Sequence, residues 1–185
     1  MTFYSYRRII KESIPAMSFL LAVELIAGHI LNRAASAFLA ISFLLILVPV
    51  VNGIGGNVGT VLGARLTSGL YTGTIAHSLK DKGLLRNVRD ASVLYVITFA
   101  VLAMFIYGIA YGIGVVPPFG LEVLLLIMLS SGLMLAGVLI LATLSVALLS
   151  FSKGLDPDNF VTPVVTTAGD LLGIVFLVSV VAVVL

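Results

Sequence analysis

Two carboxylates stand inside apolar stretches of this sequence, where ionisable side chains are costly. Asp170 lies near the middle of the apolar segment 160–185, and Glu24 lies in the run AVELIAG. An ionisable residue within a membrane span usually faces a protein interior or an aqueous pathway, so both are candidates for contacting an ion. The alternative for Asp170 is a structural hydrogen bond between helices. Glu24 could instead carry a proton or cap a neighbouring backbone group.

Hydroxyl-bearing and small residues surround Asp170 at helical spacing. Thr166 and Thr167 stand four and three residues before it, which places both hydroxyls on the Asp170 face of a helix. Gly169 and Gly173 would let another backbone approach beside that face. The pattern predicts a short oxygen-lined stripe. In the alternative interpretation, the threonine hydroxyls bond only to carbonyls of their own helix.

A proline followed by closely spaced glycines marks a second candidate region. It runs from Pro49 to Gly73 as PVVNGIGGNVGTVLGARLTSGLYTG. Proline removes a backbone donor and glycine lets the chain leave regular helix geometry, so we expect this helix to kink or partly unwind. Freed carbonyls near Gly53, with the side chains of Asn52 and Asn57, would then supply oxygen ligands. The competing interpretation is that the glycines only allow a tight helix crossing.

Composition excludes several classes of protein. Of the 185 residues, 61% are hydrophobic and 10% charged, whereas soluble domains have about 45–50% apolar and about 25% charged residues. Without cysteine, no disulfide or thiolate metal site can form. The net charge of +2 comes from basic residues at segment ends, which does not indicate a nucleic-acid partner. The run GIGGNVG lacks the GK[ST] ending of a phosphate-binding loop. The sequence also has no Ser-His-Asp or HExxH arrangement, so we expect neither an enzyme nor a resident cofactor.

Hydropathy and charge together predict an all-α integral membrane protein with five transmembrane helices. Five stretches reach the roughly 20 apolar residues that a span requires, namely 14–31, 37–62, 91–113, 121–151 and 160–185. Lys and Arg concentrate before the first stretch, after the second and after the fourth, which predicts an amino terminus inside and a carboxyl terminus outside. No cleavage site follows the first stretch, so we expect that helix to be retained. Residues 1–185 are therefore predicted to form one multi-pass domain of the cell membrane.

At its two polar motifs the sequence resembles the MgtE family of magnesium channels and, more closely, the related eukaryotic solute-carrier magnesium transporters. The first motif is a proline followed by GxGGN and then ARLTSG, here Pro49, Gly53, Gly55, Gly56, Asn57 and Ala64 to Gly69. The second is DPDN-xxx-P-xx-TxxGD, here Asp156 to Asn159, Pro163, Thr166 or Thr167, Gly169 and Asp170. The two motifs occur in the expected order, in the second and fifth of five predicted helices.

The resemblance implies a fold, a partner and a site. Members of the family have a five-helix membrane domain that works as a homodimer, with an ion path lined by the second and fifth helices. By position, the essential pore aspartate of the family falls on Asp170 and its asparagine after paired glycines on Asn57. Neighbouring residues near the ion would be Gly53, Thr166 and Gly173.

Two departures limit what the resemblance transfers. Val61 stands where MgtE channels usually carry glutamine, and these residues contain no counterpart of the family's cytoplasmic magnesium-sensing domains. Our hypothesis is a homodimer in the lipid bilayer that transports a divalent cation, with Mg²⁺ favoured because it prefers oxygen ligands and retains water. A transport alternative has Glu24 exchange protons or sodium for the cation. An alternative from another class is a membrane subunit that only scaffolds a larger complex.

Overall fold

The computed structural model describes residues 6–40, 42–115 and 117–185 of the chain. These residues form five α-helices and one 3-10 helix, and no strand occurs among them. The α-helices are α1 (Tyr6–Ala40), α2 (Leu47–Thr72), α3 (Lys82–Gly112), α4 (Leu121–Ser152) and α5 (Asp158–Val184), and the 3-10 helix is Ser42–Ile46. Each α-helix contains a stretch long and apolar enough to cross a membrane, which confirms the all-α, five-helix prediction. Residues 1–5, 41 and 116 of the predicted domain lie outside the described residues.

Helix α5 lies at the centre of the bundle. It packs against α1, α2 and α4, while α3 packs on the other side against α2 and α4. Half of the apolar window of α4 is buried, but only 11% of that of α1. Among the described elements α1 packs only on α5 and the 3-10 helix. Most of the α1 surface is therefore left for lipid or for another chain.

Helices α1 and α3 extend well beyond the predicted spans. Helix α1 covers Tyr6–Ala40 instead of 14–31, and α3 begins at Lys82 instead of residue 91. The fourth and fifth helices differ from prediction by two residues or fewer at each end. The cause is physical, because hydropathy reports the part of a helix suited to lipid, whereas polar turns at either end continue the same hydrogen-bonded helix. Residues 82–90, the last part of the polar segment before residue 91, are thus the first turns of α3.

The predicted second helix, 37–62, needs the largest correction. Its first residues belong to the end of α1, residues 42–46 form the 3-10 helix, and regular helix then runs without interruption from Leu47 to Thr72. The expected partial unwinding within the glycine-rich stretch is therefore wrong. Pro49 lies in the first turn, where a missing backbone N–H removes no helical hydrogen bond. The irregular backbone precedes the proline, and neighbouring helices pack on four of the helical glycines, namely Gly55, Gly56, Gly59 and Gly63.

The connection between α2 and α3 has defined caps at both ends. Gly73 adopts a left-handed conformation with φ of 70° and its N–H bonds to the Leu70 carbonyl at 3.3 Å. Asp81 begins α3 by accepting a hydrogen bond from the Leu84 N–H at 2.9 Å. That bond is the main cause of a lowered pKa of the Asp81 carboxyl. A short, capped turn therefore fixes how α2 and α3 diverge.

Candidate functional site

Helices α2 and α5 cross antiparallel along a ladder of small residues. A Cβ atom added to Gly63 would meet Val161, and one added to Gly59 would meet Val165. Farther along, a Cβ on Gly169 would lie 3.1 Å from the backbone nitrogen of Gly56. The residue numbers fall on α2 as they rise on α5, which sets the antiparallel register. Such close approach is available only because these positions lack side chains.

Asp170 lies on α5 beside this crossing and is half-buried. Asn52 of α2 and Glu24 of α1 both lie near enough to its carboxylate for electrostatic interaction. Three helices therefore contribute polar groups to one region in the middle of the bundle. The sequence indicates Asn52 only as a possible oxygen donor and Asn57 as the site residue, whereas in the structure Asn52 is the asparagine next to Asp170.

Asn52 also explains the position of Gly173. A Cβ atom on Gly173 would collide with the side-chain carbonyl oxygen of Asn52. This oxygen is fully buried and has no hydrogen-bond partner among the described atoms. A buried acceptor without a donor is unfavourable by about 1–3 kcal/mol, so it is well suited to a water molecule or to an ion that carries water.

Glu24 joins the site through α5. The Thr167 hydroxyl donates a hydrogen bond to its carboxylate, with an oxygen-to-oxygen distance of 3.0 Å. A cavity of about 280 Å³ lies between α1 and α5, and both Glu24 and Thr166 line it. Thr167 itself is buried. The structure therefore brings Glu24, Thr166 and Asp170 into one neighbourhood.

The two threonine hydroxyls do different things. Thr166 donates to carbonyls of its own helix, those of Thr162 at 2.9 Å and Pro163 at 3.1 Å. The alternative interpretation, in which a threonine hydroxyl bonds only to carbonyls of its own helix, is therefore correct for Thr166. Thr167 instead reaches across to α1. The Thr166 hydroxyl oxygen still has acceptor capacity, because it uses its only hydrogen in the helix.

Gly53 and Asn57 lie on a different face of α2. These two residues are four apart and so share one face of the helix, and Asn52 and Gly56 share another. The two faces are rotated from each other by about 100° or more around the helix axis. Both Gly53 and Asn57 are exposed, and a Cβ on Gly53 would meet nothing within 4 Å. Within the described chain these two predicted site residues are turned outwards, away from the α5 crossing.

Tyr95 of α3 is a residue that sequence reasoning missed. Its hydroxyl donates a buried hydrogen bond of 2.8 Å to the carbonyl of Gly55, in the middle of the α2 motif. The ring is 1% exposed and stacks on Phe99, with ring centroids 6.4 Å apart. A tyrosine in an apolar helix does not by itself predict a buried hydrogen bond between helices, since tyrosine is also common at membrane interfaces. Its hydroxyl holds the backbone of α2 at the level of the crossing.

The donors gathered here are hard oxygens. The side chains of Asp170, Glu24, Asn52 and Thr167 offer carboxylate, amide and hydroxyl oxygens, the ligands that Mg²⁺ and Ca²⁺ prefer. Within the described residues, acidic, histidine and cysteine side chains do not gather in groups of three or more. One chain thus offers a sparse set of charges, which suits an ion that keeps part of its water shell.

Comparison with protein families identifies the class. The model of the family described as MgtE, divalent cation transporter, matches residues 48–180. The match covers well over half of the chain and spans α2 to α5, including both motifs and Asp170, while Glu24 on α1 lies outside it. A transporter family, five membrane-spanning helices and an oxygen-rich polar region agree that this is a multi-pass membrane transporter and not an enzyme. The chain belongs to the MgtE family of divalent cation transporters.

Proposed function

We propose that the chain transports Mg²⁺ along a path lined by α2 and α5 of a homodimer, with Asp170 as the main fixed charge. The observation that carries the proposal is the position of Asp170, half-buried in mid-helix beside the Asn52 side chain and near Glu24. Mg²⁺ sheds water reluctantly and is usually bound by one or two carboxylates with retained water. Asp170 would attract the hydrated ion, and amide, hydroxyl and main-chain oxygens would hold its water shell.

The outward face of α2 supports a second copy. This face carries Gly53, Asn57, Val61 and Ala64, all exposed in the single chain. A polar amide in the middle of a membrane helix is poorly matched to lipid, so it favours a protein neighbour or water. Apposed α2 faces from two chains would enclose a path that includes Asn57 and Gly53 as well as Asp170.

The dimer is testable because the sequence has no cysteine, so every introduced thiol is unique. Val61→Cys places a thiol on the outward face of α2, where the native side chain is 50% exposed. Oxidation in membranes should crosslink this variant into a dimer. Leu25→Cys on α1, with a native side chain that is 71% exposed, is the control for random collision and should not be crosslinked. Equal crosslinking of both variants would argue against the α2 interface.

The topology proposed from the positive charges has the connection between α2 and α3 inside the cell and that between α3 and α4 outside. Lys80→Cys and Pro118→Cys lie in these two connections. An impermeant thiol reagent applied to intact cells should label only Pro118→Cys. Labelling of both from the same side would contradict the orientation and the assignment to the cell membrane.

A flux assay tests transport itself. The purified protein is reconstituted into liposomes, and uptake of Mg²⁺, Mn²⁺, Co²⁺ and Ca²⁺ is measured with and without a proton or sodium gradient. We expect uptake of Mg²⁺ by the protein alone and without a gradient. No uptake of any divalent ion would favour the alternative of a scaffold subunit.

The closeness of Glu24 to Asp170 gives the coupled exchanger its best support. Two neighbouring carboxylates repel each other when both are charged, so one of them favours holding a proton, which a bound cation would displace into water. If Glu24 couples ion movement to protons, Glu24→Gln should abolish the dependence of uptake on a proton gradient. Under the channel mechanism, uptake has no such dependence in either protein.

A further inference from the structure

A second polar cavity lies outside the proposed ion path, between the end of α2 and the start of α3. It has a volume of about 650 Å³, and the residues that matter here are Arg65, Ser68, Thr72, Arg86, Asn87 and Asp90. We call it the α2–α3 groove. Its walls come from two helices whose divergence is fixed by the capped turn 73–81.

The charge of the α2–α3 groove is positive. Arg65 and Arg86 are both exposed, and neither forms an ion pair with another residue that the structure describes. Asp90 is the acidic residue on the wall, and its two hydrogen bonds from Arg89, at 3.2 and 2.9 Å, both go to Oδ1. Two guanidinium groups and one carboxylate therefore line the cavity, which leaves it with a net positive charge.

The position of Arg65 makes this charge notable. It lies within the apolar span Phe43–Thr72, seven residues before its end, or about 10 Å along the helix. Guanidinium stays charged in proteins, and a charge at membrane depth requires water or a counter-charge. An anion in the groove would supply both a counter-charge and acceptors for the fork of N–H donors.

An apolar cleft continues from the groove. A neighbouring cavity of about 270 Å³ shares Arg65, Asn87 and Asp90 with it and is otherwise walled mainly by apolar side chains. Two of these, Val61 and Leu94, are 50% and 42% exposed. The two cavities thus place a polar, positively charged chamber next to an apolar one at the edge of the membrane span.

We propose that the α2–α3 groove binds a phosphate-bearing anion, with the phosphate on Arg65 and Arg86. The adjoining apolar cleft favours an anionic phospholipid whose acyl chain lies along Leu94 of α3. Basic pockets between membrane helices are suited to such headgroups, and arginine binds phosphate in a bidentate manner. The site does not depend on the transported ion or on Asp170.

Lipid retention tests the proposal without measuring transport. The purified full chain is incubated with phosphatidylglycerol or with phosphatidylcholine of the same acyl chains, and bound lipid is counted by native mass spectrometry. Wild-type protein should retain phosphatidylglycerol preferentially. Arg65→Gln and Arg86→Gln should each reduce that retention about tenfold, as expected for loss of one charge-assisted contact. Lys153→Gln removes an exposed positive charge elsewhere and should leave retention unchanged.

A second arm identifies the source of the phosphate. Thermal unfolding is measured in lipid-free detergent with inorganic phosphate or chloride at equal ionic strength. Phosphate stabilisation that requires both arginines, without preference for phosphatidylglycerol, would support the same site with a soluble ligand. Arg86 lies near the exposed start of α3, so its variant keeps the test valid if Arg65→Gln fails to fold. Retention and stabilisation that are equal in wild type, Arg86→Gln and Lys153→Gln would overturn the proposal.

Discussion

The two faces of α2 contain glycines from one motif that have different surroundings. On the inner face, side chains added to Gly59 and Gly63 would collide with Val165 and Val161 of α5, and one added to Gly56 would contact Thr166. On the outer face, Gly53 has open space around it, next to the exposed Asn57. Close packing explains the inner glycines completely. It does not explain Gly53, so the outer face is where a function beyond helix packing has to be sought.

The largest effect on stability is expected at the inner face. In Gly169→Ala the new methyl group would lie 3.1 Å from the Gly56 nitrogen and 3.4 Å from its Cα, and backbone atoms cannot rotate away. We expect a loss of about 1–3 kcal/mol in the free energy of unfolding, as for other overpacked sites. Unfolding by SDS in mixed micelles, followed by circular dichroism, measures it. Gly53→Ala is the matched control and should be as stable as wild type or slightly more stable.

Asn57→Ala should reduce Mg²⁺ flux without reducing stability. The residue is exposed in the single chain, and a water-mediated contact contributes about 0.5–1.5 kcal/mol, equivalent to a loss of up to about tenfold in rate. Val61→Ala, one turn along the same face, is the control because it removes no polar group. Equal flux through the two variants in liposomes would mean that the outer face contributes nothing polar to the path.

Tyr95→Phe tests whether a hydrogen bond from α3 positions the glycine motif of α2. It removes the hydrogen bond to the Gly55 carbonyl and keeps the ring on Phe99. Hydrogen bonds between membrane helices contribute about 0.6–2 kcal/mol, so stability should fall by that amount. Because Tyr95 contacts no proposed ion ligand, the ion selectivity measured in liposomes should stay that of wild type. A changed order of preference among divalent ions would show that the tyrosine acts on the path as well.

The smallest effect concerns the turn that leads away from α2. The hydrogen bond from the Leu84 N–H lowers the pKa of Asp81 below its ordinary value of 3.8. A carboxyl with a lowered pKa in the folded protein stabilises it above the ordinary pKa, and the stabilisation is lost as pH falls through the lower value. The Tm difference between wild type and Asp81→Asn should therefore be present at neutral pH and shrink in acid. A difference independent of pH would exclude a role for the charge.

The sequence was informative where helical spacing and membrane energetics act locally. Asp170 and Glu24 were identified because a carboxylate in an apolar helix is rare, and the structure brings them together. The choice of Asn57 over Asn52 could not be checked from one helix, since which face of α2 meets α5 depends on long-range packing. The same reason hid Tyr95, whose partner lies 40 residues away in the chain.

The helix boundaries were also predicted well where local sequence signals exist and poorly where they do not. The spans of α4 and α5 were predicted closely because polar residues or prolines stand at their ends. The boundary between α1 and α2 was misplaced because the chain turns within an apolar run, where hydropathy gives no signal. The expected break at the glycines failed for a related reason, since glycine both loosens an isolated helix and permits the close packing that keeps it regular.

Replacing Asp170 tests the central claim most directly. Asp170→Asn keeps the shape and hydrogen-bonding capacity of the side chain beside Asn52 and removes only the charge. If Asp170 lines the ion path, divalent cation flux in liposomes should be almost completely lost, while insertion, crosslinking through Val61→Cys and stability are preserved. If Asp170 only makes a structural hydrogen bond, flux should largely survive, because asparagine could still bond between helices. A folded Asp170→Asn dimer that carries Mg²⁺ at the wild-type rate would contradict the account.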